Sequence, residues 1–410
     1  MPTRGMRPPQ ATSTGAGQAV GGSWVAPALA GLAATLLGLG IARFAYTPML
    51  PALVAQGWLD ADGAAYLGAA NLLGYLLGAL AAAPLARRWP MGTVLRLAML
   101  LTVLSLMACA WNGGLFWLTP WRVLAGATGA VVMVLAGPAV LAGLPPALKP
   151  RATGVVFSGI GIGVVLAGFG VPGLAPAGLE AVWLALAGLA LGLTLFAWRR
   201  WPSAPVRTAG TGATGKSAAA PVVRSLPLLL FTVAYAGDGI GYVPHTLFLS
   251  DYVARGLGLG VETGGAVWAA FGVGAMAGAL FGGWLAGRLG FGPAFALALG
   301  IKAMAVALPL VSAAVPALVL SAFLVGLLTP GSVALASGVA ASLVGAAGHV
   351  TAWGRMTAAF AATQMAGGYA LSALFAASGS HCLLFAIGAA CLAAGTASAL
   401  IANVIIRRNS

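Results

Sequence analysis

The chain has 410 residues, of which 60% are hydrophobic and 6% charged, with a formal net charge of +14. Soluble domains carry about a quarter charged residues, so an ordinary globular protein is excluded and the composition is that of an integral membrane protein. The basic excess needs no nucleic-acid partner, because its placement along the chain accounts for it.

Residues 1–24 are polar and rich in Gly and Pro, without the apolar core of a signal peptide, and are expected to form a disordered cytoplasmic tail. A bilayer crossing takes about 20 apolar residues. Twelve such runs follow, at 26–53, 64–86, 91–111, 115–142, 152–175, 179–198, 226–250, 263–286, 292–313, 316–343, 353–378 and 381–406. Residues 199–225, RRWPSAPVRTAGTGATGKSAAAPVVRS, are too hydrophilic to cross and read as a cytoplasmic linker. They divide the chain into an N-terminal six-helix bundle, 25–198, and a C-terminal one, 226–407.

Charge sets the expected orientation. With the N-terminus inside, the inner segments hold Arg4, Arg7, Arg87, Arg88, Lys149, Arg151, Arg199, Arg200, Arg207, Lys216, Arg224, Arg288, Arg355, Arg407 and Arg408, whereas the outer loops hold only Arg255. This asymmetry follows the positive-inside rule and supports an even number of spans. Asp60, Asp62, Glu180, Asp251 and Glu262 fall at outer ends. Both termini are therefore expected in the cytoplasm. Cys109, Cys382 and Cys391 have no metal or redox spacing and read as packing residues; no cofactor is implied.

The two halves repeat one another. Residues 69–98 (AANLLGYLLGALAAAPLARRWPMGTVLRLA) and 269–298 (AAFGVGAMAGALFGGWLAGRLGFGPAFALA) match without a gap at twelve of thirty positions, including Gly74/Gly274, Gly78/Gly278, Arg88/Arg288 and Gly92/Gly292. Tyr46-Thr47-Pro48 is echoed by Tyr242-Val243-Pro244. The ladders Gly74/Gly78/Ala82 and Gly274/Gly278/Gly282 are expected to be packing seams along which the two bundles rock.

Four ionisable residues lie inside spans: Arg43, Arg122, Asp238 and Lys302. A charge at bilayer depth is costly unless it faces protein or water, which makes each a functional candidate. Arg43, in GIARFAYTPMLP, has two readings: its guanidinium binds a substrate anion, or Asp238 neutralises it across the bundle interface. Asp238, in AYAGDGIGYVP, reads as a proton carrier or as that static partner, with Gly237 and Gly239 leaving room beside it. Lys302 is expected to snorkel or to tuck against a neighbour. Tyr46, Asn71, Tyr242, His245 and Gln364 are polar groups on spans 1, 2, 7, 7 and 11, able to bond a ligand or other helices.

Parallel six-helix repeats joined by a basic cytoplasmic loop resemble the major facilitator superfamily. Gly283-Trp284-Leu285-Ala286-Gly287-Arg288-Leu289-Gly290 is similar to that superfamily's loop motif, with Gly287 in its Asp place, and the first copy has Arg87 there. Arg122-x-x-x-Gly126-x-x-Gly129 resembles its fourth-helix motif. The Arg-Phe-Ala-Tyr-Thr-Pro string, followed by NLLGYLLGAL, resembles the YbfB/YjiJ-like branch.

The resemblance implies an all-α fold of twelve transmembrane helices in two pseudo-symmetric bundles, with spans 1, 4, 7 and 10 lining a central cavity and span 9 peripheral. It further implies a secondary transporter of the bacterial inner membrane working by alternating access, and no enzyme. Two cavity arginines against one carboxylate incline the cargo toward small organic anions, with protons as the coupling partner. A proton-coupled exporter of amphipathic compounds is the alternative; a membrane-embedded enzyme or sensor would need clustered ligands that the scattered His245, His349 and His381 do not supply. The expected partners are a small-molecule substrate, protons and membrane lipid, with the chain acting as a monomer.

Overall fold

A computed structural model describes residues 24–142, 144–201 and 225–409. The expected tail, most of the linker, and Arg4, Arg7, Arg207, Lys216 and Arg224 lie outside the described residues. Among the described residues, eleven helices are long and apolar enough to span a bilayer. They are α1 (Val25–Ala55), α2 (Ala61–Arg88), α3 (Met91–Ala108), α4 (Gly114–Leu141), α5 (Arg151–Ala177), α6 (Leu179–Ala197), α7 (Leu226–Gly256), α8 (Gly260–Leu289), α9 (Phe291–Val311), α10 (Val315–Gly345) and, after one further helix, α12 (His381–Arg408).

The remaining helix, α11 (346–378), corresponds to the run expected at 353–378 but starts about two turns earlier. It follows α10 with no loop, because the chain turns at Gly345 alone, with φ 68° and ψ 179°. Only glycine takes that conformation without a steric penalty. The expected break between spans 10 and 11 is thus one residue long.

Packing forms one core within the first half of the chain, from Ala28 to Trp201. A second core is built mostly from the other half and draws in Leu39, Phe44, Ile160 and Val164. A third cluster joins Ala65 and Leu72 of α2 to Leu247 of α7 and Leu371 and Phe375 of α11. The halves therefore meet along a continuous apolar seam.

The repeated glycines are packing seams, as expected, but they lie within the bundles and not between them. A Cβ on Gly74 would lie 1.9 Å from the Val123 carbonyl oxygen, and one on Gly126 2.0 Å from that of Asn71. These residues close α2 onto α4 inside the first half. Gly274 and Gly326 close α8 onto α10 in the second half, with the Phe323 and Phe271 carbonyls at 2.2 and 2.0 Å. The repeat is thus a helix-pairing seam within each bundle. Between the halves it is Gly161 against Gly272 and Gly168 against Gly265 that permit α5 and α8 to touch.

The first helix of each half is irregular where the Tyr-x-Pro echo stands. In α1 a π-helical stretch, Leu36–Ile41, leads into turns at 42–45 before helix resumes at Tyr46. In α7 π-helical stretches cover Pro244–Phe248 and Tyr252–Gly256. Proline lacks the N–H that helix geometry requires, so carbonyls one turn earlier must find other donors. Wide turns of this kind often mark functional sites.

Candidate functional site

Around Arg43 the backbone itself prepares the site. The Tyr46 amide reaches the Arg43 carbonyl (3.4 Å) and the Thr47 amide reaches that of Phe44 (3.3 Å), so the regular ladder lapses. The Ala42 carbonyl, left without an amide from the next turn, and the Phe44 carbonyl, left with only that long bond, are taken up by other helices. Arg122 Nη1 of α4 donates to Ala42 O (2.7 Å), and Trp268 Nε1 of α8 donates to Phe44 O (3.0 Å). The irregularity thus offers acceptors to both halves.

Arg43 sits at the seam and is largely buried (7% exposed). Its Nη2 donates to the Tyr242 hydroxyl (3.1 Å), which also accepts from Gln364 Nε2 of α11. The guanidinium carbon lies 4.5 Å from the centre of the Tyr75 ring and 5.1 Å from that of Phe44. Aromatic faces hold a cation without neutralising it. Arg43, Tyr242 and Gln364, singled out separately from three spans, therefore form one cluster.

Arg122, Tyr46 and Asn71 form a second cluster against the first. The Arg122 guanidinium lies 4.6 Å from the Tyr46 ring centre, and its Nε and Nη2 have no partner in the protein. Asn71 Nδ2 donates to Arg122 O (3.1 Å), while Asn71 Oδ1 is unpartnered and buried. The Tyr46 hydroxyl donates to Ala64 O (2.6 Å). Arg43 of the first cluster and all three residues of the second line one cavity with Phe44, Gly68, Leu72, Thr246 and Leu247, which in this arrangement is about 10 Å³, room for about one water. Two cations face it and no carboxylate does.

His245 is placed elsewhere. Its Nε2 pairs with Ser321 Oγ of α10 (2.7 Å), and its ring packs edge-on to Phe385. It does not line the cavity.

Asp238 does not meet Arg43. Its Oδ1 accepts from Lys302 Nζ of α9 at 2.7 Å, with both side chains buried. The static Arg43–Asp238 pair is therefore not formed, and Lys302 does not snorkel but tucks against α7, with Asp238 as its partner. The flanking glycines serve approach instead of room: a Cβ on Gly237 would lie 2.9 Å from the Cys391 carbonyl of α12, and one on Gly239 2.6 Å from that of Phe360 on α11. The expected peripheral place of span 9 conceals this role of Lys302 in the sequence. The available signal was charge arithmetic, since an embedded Lys and an embedded Asp both need counter-ions.

At the far end of α7, Asp251 is fully buried and pairs with Arg255 one turn on and with His381 Nε2 of α12 (2.8 Å). The acid and base expected at an outer loop thus tie two helix ends together. Cys109 is buried, Cys391 half-buried and Cys382 exposed, and all three are free thiols.

Related helices in two sets, meeting over a buried cavity that carries unneutralised cations, define an integral membrane protein of the transporter class. Residues 35–400 match the family described as "Uncharacterised MFS-type transporter YbfB", and the chain belongs to that family of the major facilitator superfamily. Among solved structures, the crystal structure of a D-xylose-proton symporter has the same fold, with a TM-score of 0.71 over 92% of this chain and 97% of that one, at 14% identity. No curated protein sequence matches. The protein is a membrane transporter and not an enzyme.

Proposed function

We propose that the protein carries a small organic anion across the bacterial inner membrane by alternating access, coupled to protons through Asp238, with Arg43 and Arg122 as the anion's counter-charges. One observation carries this reading: Arg43 and Arg122 line the same buried cavity, no carboxylate joins them there, and Arg122 Nε and Nη2 are unpartnered. Buried charge without a counter-charge is unfavourable, so the cavity favours an anionic guest. Guanidinium is suited to the two oxygens of a carboxylate. Asn71 Oδ1 offers an acceptor beside it, which suits a ligand that also carries a hydroxyl or amine.

Tyr46, Tyr242 and Gln364 complete the site by placing and orienting the arginines, whereas His245 serves the packing of the second half. The contacts between halves described above fall at 39–44, 65–72 and 160–168 against 242–247, 265–272 and 371–375. By the charge pattern these are the outer half of the membrane, so this is the outward-closed arrangement with both termini in the cytoplasm. Ligand entry then requires part of the surrounding contact to open. The D-xylose-proton symporter offers a precedent within this fold for proton-driven transport. The bundles, 25–198 and 226–407, move against one another with 199–225 as their tether, and the chain works as a monomer.

The test is a thermal-shift screen of purified protein in detergent against small mono- and dicarboxylates, sugars and amphipathic cations, with Arg43→Ala alongside. A ligand at 100 times its Kd stabilises by about 2.7 kcal/mol. Carboxylates should stabilise the wild type and lose at least about tenfold in affinity on the variant, since a hydrogen bond to a charged group contributes about 1.5–3 kcal/mol. Stabilisation by amphipathic cations alone, undiminished in the variant, would replace this reading with export of drug-like compounds.

A further inference from the structure

The anion site leaves the Lys302–Asp238 pair unexplained. Both side chains are buried, Nζ and Oδ1 are 2.7 Å apart, and neither residue lines the cavity. A buried ion pair is weak support for stability, since apolar side chains of similar size often serve as well. Its position suggests another purpose. The Lys302 ammonium also lies 4.7 Å from the centre of the Tyr242 ring, and the Tyr242 hydroxyl holds both Arg43 and Gln364. Carboxylate, ammonium, aromatic face, hydroxyl and guanidinium therefore form an unbroken chain of contacts from the flank of the second half to the anion site in the first.

We propose that Lys302 and Asp238 together are the proton-responsive unit, and that Tyr242 passes the state of the pair to Arg43. The inference rests on the transport reading above. A proton reaching the pair binds an Asp238 carboxylate oxygen and makes a neutral acid. Lys302 keeps its three protons and its charge, loses its counter-ion, and turns to the Tyr242 ring, the aromatic face already beside it. Movement of that ring changes the hold of its hydroxyl on Arg43 Nη2 and Gln364, which alters the guanidinium offered to the anion. Loss of the proton restores the pair.

The groups surrounding the pair are few. Tyr235, Tyr242 and His245 lie on α7 itself, with Lys302 from α9, Gln364 from α11 through Tyr242, and Cys391 from α12, whose carbonyl abuts Gly237. Arg43 stands beyond Tyr242. The other buried acid of α7, Asp251, is held by Arg255 and His381. Asp238 is therefore the carboxylate in position to answer a proton here.

The experiment needs no known substrate. Spin labels at Ala55 and Leu259, both exposed at the ends nearest the outer side, report separation of the halves in detergent by double electron–electron resonance, with the native cysteines replaced by alanine. Between mildly alkaline and mildly acidic buffer, the ratio of short to long distances should change severalfold in the otherwise native protein. It should stay fixed in Asp238→Asn/Lys302→Gln, which keeps an uncharged hydrogen-bonded pair, and in Tyr242→Phe. If the neutral pair does not fold, the exchanged pair Asp238→Lys/Lys302→Asp retains both charges and should still respond. Monodisperse neutral-pair protein with a native pH response, or exchanged-pair protein without one, overturns the proposal, as does native protein indifferent to pH. Saturable carboxylate uptake into proteoliposomes alongside any of those results would leave the transport reading standing, whereas its absence would remove that reading instead.

Discussion

Arg43 illustrates how a cation is held at membrane depth without being neutralised. Its charge rests between two aromatic rings and one phenolic oxygen, and that oxygen is shared with Gln364. Removing the oxygen should be felt in the fold as well as the site. Tyr242→Phe leaves a buried amide donor and a buried guanidinium donor unpaired, at about 1–3 kcal/mol for each such group. A fall in the thermal midpoint in detergent is the expected result, larger than that of Tyr66→Phe, whose ring packs on Tyr369 near the outer rim. An unchanged midpoint would mean that water already serves both donors. That these side chains belong together was half legible in the sequence: Arg43, Tyr242 and Gln364 stood out as polar groups in apolar runs. The partner of Asp238 did not, because periodicity says which residues are embedded but not which neighbouring helix each one faces.

The helices obey a repeated pattern whose purpose only their packing reveals. Gly74, Gly126, Gly274 and Gly326 occupy equivalent places where one backbone lies on another, α2 on α4 and α8 on α10. At Gly126 even one methyl group would meet the Asn71 carbonyl at 2.0 Å. Gly126→Ala must push the two helices apart, at about 1–3 kcal/mol for overpacking. It also displaces Asn71 and Arg122, the side-chain amide of the first donating to the backbone carbonyl of the second. The variant should therefore lose both thermal stability and carboxylate affinity, whereas Gly188→Ala on α6, with open space at its Cβ, should lose neither. Equal behaviour of the two variants would contradict this account of the seam. The breaks in α1 and α7 belong to the same scale: Pro48 and Pro244 disturb the ladder in each half, and in α1 the Ala42 and Phe44 carbonyls accept from Arg122 and Trp268.

Across the whole molecule the two halves are joined by more than the cavity. Ser372 Oγ of α11 donates to Ala65 O of α2 (3.1 Å), and Thr47 Oγ1 of α1 donates to the Thr246 carbonyl of α7. If the halves separate there during transport, a covalent tie should stop the cycle. Ala65→Cys/Ser372→Cys, oxidised in the membrane, should cross-link and abolish uptake reversibly, with activity returning on reduction. Cross-linked protein that still transports would show that opening does not require this seam.

What the sequence determined by itself is what local composition and repetition can encode. Apolar runs of bilayer length, the basic linker and the Gly and Arg registers of the two repeats were enough for an all-helical membrane fold and its superfamily, because these depend on each segment's relation to lipid and water. The tertiary structure alone decided who meets whom: Asp238 with Lys302 instead of Arg43, the glycine ladders inside the bundles instead of between them, His245 turned to Ser321 and away from the cavity. Such pairings depend on the rotation and depth of helices far apart in the chain, and an apolar helix in lipid carries little amphipathic signal to indicate its inward face.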